Sequence, residues 1–307
     1  MAVSAINIET LMLKDLMNKA SQLYPPWLKL SVIFLIAGYG TKMGLVPMHS
    51  WKPDTYGEVP GPVGALMSGA ITSCAFLIIM RIGEVCHKAG LMDFFQSILL
   101  LLGMLSLFVS CVFILNQTSF NRMLGYSSIE HMGILVLGIG IGGIGIYGSI
   151  FHMINNAFAK GIMFLLAETL YRKYKTKNIF DNHGIIHTYP YLGVFLLTGF
   201  LYVTGFPPFG TFYSELIILK SAIVAKHYAV AFFYALFLAV IFIGLARIFL
   251  NMVFGVSIQK EPVILYKENI TIILPVLFLL AISLVIGMHM PAFLENTMLT
   301  ASSFLGE

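Results

Sequence analysis

The sequence predicts an all-α, polytopic membrane protein with about eight transmembrane helices, two of them broken. Hydrophobic residues make up 58% of the 307 positions and charged residues only 10%, against about a quarter in an ordinary soluble chain. Mean hydropathy is +0.89. The apolar runs are long and do not alternate, which argues against barrel strands. So few charges cannot cover a 34.0 kDa fold in water. A soluble enzyme, a disordered chain and a nucleic-acid binder are therefore excluded.

A bilayer core of about 30 Å takes about 20 apolar residues per helix. The runs that fit are 28–46, 62–82, 94–115, 123–142, 145–171, 190–222, 228–254 and 268–290. The first holds Gly38, Gly40 and Gly44 around Lys42 and then meets Pro47. The third has no charge inside it. The fourth and fifth are separated only by Gly142, Gly143 and Gly145, a turn of minimal steric cost. The sixth is interrupted by Gly205-Phe206-Pro207-Pro208-Phe209-Gly210, where two prolines disfavour continuous helix.

Residues 1–27 read as an extramembrane segment. Glu9, Lys14, Asp15 and Lys19 interrupt it, and it has no signal-peptide core. Eight spans put both ends on one side. The connections there carry Lys14, Lys19, Lys29, Arg81, Lys88 and Lys226. Opposite them stand Lys52, Arg122, Arg172, Lys173, Lys175, Lys177, Lys260 and Lys267, which favours ends on the outer side. The net charge of +4 is scattered and implies no anionic partner. Cys74, Cys86 and Cys111 form no CxxC pair and read as free thiols. His183 and His187 fall in a solvated loop, so no metal site is expected.

Several ionisable residues lie within the apolar runs: Lys42, Lys160, Lys220, Arg247, Glu130, Glu168, Glu215, His131 and His152. Each charge at the bilayer centre costs about 2.5–3.5 kcal/mol on insertion scales, so such groups usually face a hydrated interior and mark an ion or proton path. Lys220, Arg247 and Glu168 also fit positions near helix ends, where they snorkel. His152, Asn156 and Lys160 follow i, i+4, i+8 and share one helical face, with about 6 Å per step. Glu130 and His131 stand beside Ser127 and Ser128 on the preceding span. The two interrupted spans, each with an ionisable residue at its break (Lys42, Glu215), point to a transport site. Trp51 reads as an interface anchor. His49 and Asp54 beside it are candidates for proton uptake or release, since histidine titrates near neutral pH.

The run Gly38-Tyr39-Gly40-Thr41-Lys42-Met43-Gly44-Leu45-Val46-Pro47-Met48-His49-Ser50-Trp51-Lys52-Pro53-Asp54, followed by 60–69, is distinctive. It resembles the antiporter-like subunits shared by respiratory complex I, Mrp-type cation/proton antiporters and membrane-bound nickel–iron hydrogenases. Gly125-Tyr126-Ser127-Ser128-Ile129-Glu130-His131-Met132-Gly133 is most similar to the hydrogenase-4 and formate hydrogenlyase branch. The break at 205–210, with Ser214 and Glu215, resembles the late broken helix of the same family.

The resemblance implies proton hopping along buried residues and water, driven by a redox partner. Lys42 resembles the lysine of a first half-channel, His152 and Lys160 those of a second, and Glu215 the group that exchanges protons with one side. It implies an ion-translocating subunit of an oxidoreductase complex, without cofactor or redox centre of its own, in a prokaryotic cytoplasmic membrane. Its partners are the bilayer and other membrane and hydrophilic subunits. Residues 28–92 then correspond to the end of the first half-channel, 93–255 to a complete five-helix repeat, and 256–307 to a final span and tail. The chain begins just before the seventh of about fourteen family helices, so Lys42 has no obvious acid partner here unless another chain supplies it; a split subunit, a truncated gene product and a fragment are all open readings. Ser73 stands where some members carry a lysine. A cation/proton antiporter subunit and a non-conducting scaffold are the alternative readings.

Overall fold

The computed structural model describes residues 12–255 and 270–305. Glu9, Lys260 and Lys267, together with the start of the last span, lie outside them. The helices are α1 (Leu13–Asn18), α2 (Pro25–Met43), α3 (Trp51–Glu58), α4 (Gly61–Leu66), α5 (Thr72–Lys88), α6 (Met92–Ile114), α7 (Phe120–Ile141), α8 (Ile144–Tyr174), α9 (Ile185–Thr188), α10 (Pro190–Val203), α11 (Gly210–Val224), α12 (Tyr228–Phe254), α13 (Ile270–Met288) and α14 (Ala292–Ser303). Among the described residues the sole β contact is an isolated bridge between Ser119 and Asn178.

Among the described residues five helical stretches are long and apolar enough to cross a membrane: Gly61–Lys88, α6, α7, α8 and α12. In the first, a π-helical turn at Met67–Ile71 joins α4 to α5. The pair Ile273–Met288 and Ala292–Ser303, bent by 71°, has the length and composition of either a broken span or a re-entrant loop. The remaining two sequence spans are the broken ones, which split into shorter pieces.

Both breaks are built alike. At the end of α2, Gly44 takes φ 78°, and the Leu45 amide donates back to the Gly40 carbonyl at 2.8 Å. At the end of α10, Gly205 takes φ 64°, and the Phe206 amide donates to the Leu201 carbonyl at 2.9 Å. These are glycine-terminated helix ends of the Schellman type. A cis peptide follows each, Val46–Pro47 and Pro207–Pro208. Side chains from beyond the break satisfy the freed carbonyls. Trp51 Nε1 and Lys52 Nζ donate to Thr41 and Met43, and the Thr211 hydroxyl donates to Tyr202 at 2.7 Å.

α7 is the central helix. All its residues except Arg122 are buried, with α3, α6, α8 and α11 packed around it. Close approach to α6 depends on small residues on both helices, as is usual between membrane helices. A Cβ on Gly133 would lie 2.9 Å from Ser106 Cβ and 3.0 Å from the Gly103 carbonyl. Gly133→Val is therefore expected to force these helices apart and lose about 1–3 kcal/mol of stability. Thermal denaturation of the solubilised protein checks this, and an unchanged midpoint would contradict it.

Candidate functional site

Because α7 is surrounded, polar residues placed on it must find partners inside the protein. Three faces meet there. α7 brings Ser127, Ser128, Glu130 and His131; α8 brings His152, Asn155, Asn156 and Lys160; α11 brings Thr211, Ser214 and Glu215. Lys160, His131 and His152 are 0% exposed and Glu130 3%. Glu215 is partly buried, at the edge of the group.

The contacts form two stretches. In one, Lys160 Nζ donates to Ser127 Oγ at 2.7 Å, and Ser127 Oγ donates to Glu130 Oε2 at 3.3 Å. The buried ammonium and carboxylate are thus bridged by a hydroxyl. In the other, His131 Nδ1 and His152 Nε2 share a hydrogen bond of 2.9 Å, and His152 Nδ1 and Ser214 Oγ one of 2.8 Å. Ser214 Oγ donates onward to the Thr211 carbonyl at 2.8 Å.

Asn156 lies one helical turn from both His152 and Lys160 and so stands between the two stretches. Neither of its side-chain polar atoms has a protein partner. Buried amides of this kind are ordinarily served by water.

Ligating atoms of His131, His152 and Glu215 lie within 4.8 Å of one another. A 2.9 Å separation between two imidazole nitrogens is a hydrogen-bond distance, so as the group stands the two rings bond to each other.

The other candidates are not in this group. Lys42 is exposed, on a groove lined by Tyr39, Ala70, Ile71, Cys74, Ala75 and Ile78. Asp54 is exposed and pairs with Arg122 on α7 at 2.9 Å. His49 is half-buried, with Nδ1 3.3 Å from the Pro47 carbonyl. Lys220 and Arg247 are exposed on α11 and α12. Glu168 accepts from the Gly61 amide at 3.0 Å, capping the start of α4, and from Arg172 at 2.8 Å.

Sequence reasoning missed Lys52, counted among the connections but 0% exposed. It also missed Asn155, which accepts from the Tyr202 hydroxyl at 3.3 Å, and Tyr234, whose buried hydroxyl has no protein partner. Glu84, buried and paired with Arg81 and Lys88, was missed as well. One signal did exist for Lys52: it follows a helix break by less than three turns of chain and precedes a proline.

The profile of the NADH:quinone oxidoreductase/Mrp antiporter transmembrane family matches residues 3–243. The chain belongs to this family. It is accordingly an integral, multi-pass membrane protein. A hydrogenase-4 component F homolog of Methylacidiphilum infernorum is 32% identical over 209 residues, covering 68% of this chain and 44% of that one. A Na(+)/H(+) antiporter subunit of Alkalihalophilus pseudofirmus is 26% identical over 282 residues, covering 90% and 56%. The chain thus spans about half the length of these relatives. Among solved structures, a chain of an archaeal membrane-bound sulfane sulfur reductase superposes with a TM-score of 0.85 at 23% identity, covering 95% of this chain and 60% of that one. A chain of the Mrp complex from Dietzia gives 0.80 at 17%, covering 90% and 59%. These likenesses establish the antiporter-like membrane fold.

Proposed function

We propose that the chain is a proton-translocating membrane subunit of a redox-driven complex of the hydrogenase-4 or complex I kind, in a prokaryotic cytoplasmic membrane. The observation that carries this reading is the succession of buried hydrogen-bonding groups, Lys160–Ser127–Glu130 and His131–His152–Ser214, with Glu215 at its rim. Ionisable groups this deep between apolar helices are expensive, and a proton path explains their presence.

In this reading a proton leaves the Lys160 ammonium for Ser127 Oγ as Ser127 passes its own to Glu130. Water held at Asn156 joins the two stretches. The imidazole pair then carries the proton along its shared hydrogen bond, and Glu215 exchanges it with one side. A redox partner supplies the driving force.

Lys42 belongs to a contact with further helices. It is exposed beside the apolar Ile71 and Ile78, and an ammonium in that setting calls for a carboxylate on the covering helix. That helix is assigned here to a further membrane segment of the same complex, whichever chain carries it.

The test is reconstitution of the intact native complex in liposomes, with a pH-sensitive dye inside. Redox turnover should change the lumenal pH, a protonophore should collapse the change, and removing sodium should leave it intact. Sodium dependence at fixed pH would favour the cation/proton antiporter reading. Electron transfer with no proton movement would leave only a scaffold.

A further inference from the structure

Lys52 is the one fully buried lysine of the described residues outside the Lys160 group. Its stem crosses Gly44 at the end of α2, where a Cβ would collide with it. Its ammonium donates to the Met43 carbonyl at 2.5 Å and to the Ser128 carbonyl at 3.4 Å. The Tyr56 ring lies 5.7 Å away. Among the described residues neither Lys52 nor Lys160 is in an ion pair. The titratable groups that face Lys52 are Tyr56 from α3, His131 from α7 and Lys160 from α8.

Two features follow. Both hydrogen-bond acceptors are backbone carbonyls, which take no proton at neutral pH, so neither contact gives Lys52 a group to pass a proton to. The side chain also joins two separate parts of the fold. One end of its contact is the last carbonyl of α2, next to Lys42. The other is the carbonyl of Ser128, adjacent to the Ser127 that receives the Lys160 ammonium. A buried lysine without a carboxylate partner is costly to keep charged.

We propose that Lys52 is a charge-coupling residue: it ties the break after α2 to the Lys160–Ser127–Glu130 stretch, and its positive charge opposes a second ammonium at Lys160. A shift at the Lys42 end of α2 draws Lys52 toward or away from α7 and so changes the repulsion that Lys160 feels. At the low effective dielectric of a buried site such repulsion is felt far more strongly than in water. Lys52 is a positioning residue that acts through Lys160, and the inference rests on the proton-path reading above.

Two variants separate charge from simple clamping, both in the intact complex reconstituted in liposomes. Lys52→Gln keeps a donor for the Met43 carbonyl and removes the charge. Lys52→Arg keeps both. We expect Lys52→Gln to assemble yet translocate about tenfold more slowly, the size of a typical coupling between sites, and Lys52→Arg to restore the rate. Lys52→Gln translocating within twofold of the native rate overturns the inference. So does failure of Lys52→Gln to assemble, which assigns the lysine to the clamp alone. Both variants assembling and being equally slow also overturns it. Lys160→Ala, run alongside, distinguishes the failures. If it is inactive while Lys52→Gln is normal, the proton path stands and only the coupling falls. If it translocates normally, both fall.

Discussion

Replacing Lys160 by alanine is expected to abolish proton translocation, by about a hundredfold or more, while electron transfer in the partner subunits continues. The size follows from what the side chain does. Its ammonium is the donor that Ser127 accepts at 2.7 Å, and Ser127 in turn donates to Glu130. Loss of a positioned proton-transfer group commonly lowers rates by about 10²–10⁴-fold. Alanine also leaves Glu130 buried without the ammonium that Ser127 links to it, which costs stability. The double variant Lys160→Ala with Glu130→Gln separates the two effects. It should assemble better than the single variant and remain unable to translocate. Redox turnover, complex integrity and lumenal pH are measured on the same preparation. Normal translocation in either variant would remove Lys160 from the path.

The sequence made the spans legible because apolar runs of membrane length carry a strong signal. Seven of the eight intervals coincide with helical stretches to within a few residues at the ends that are described, apart from 62–82, which continues as helix to Lys88. The α8 column was legible for a related reason: at 3.6 residues per turn, His152, Asn156 and Lys160 cannot avoid sharing a face.

What stayed hidden depends on how helices meet. Nothing in the order of residues says that His131 on α7 lies opposite His152 on α8, or that Ser214 on α11 completes that contact. Lys52 was hidden because a lysine in a short polar segment resembles a topology signal. It is buried because α3 folds back against α7, where Gly125 allows Pro53 to approach. Lys42 shows the reverse case. Its motif marks it as a channel residue, yet the described residues leave it exposed, because the face it occupies is covered by no helix among them.

The second large effect is expected at the other break. Gly205→Ala introduces two separate penalties. Gly205 holds φ 64°, and an alanine in the left-handed region costs about 1–2 kcal/mol. Its Cβ would also fall on the Glu215 carboxylate, with Oε1, Oε2 and Cδ as the nearest atoms. The carboxylate must move, and it is the group within 4.8 Å of both imidazoles. Translocation should fall about tenfold or more, since a displacement of about 1 Å at a reacting group is enough for that.

Gly90→Ala supplies the comparison. Gly90 also has positive φ, 70°, and ends its helix with the same return bond, from the Leu91 amide to the Cys86 carbonyl at 2.8 Å, but a Cβ there meets nothing within 4 Å. It should lose a similar amount of stability from backbone strain and keep its translocation rate per assembled complex. Equal slowing in both variants would mean that strain in the fold, not the place of Glu215, limits the rate. Slowing in Gly205→Ala alone places the carboxylate on the path, because the two substitutions share everything except what the added methyl group touches.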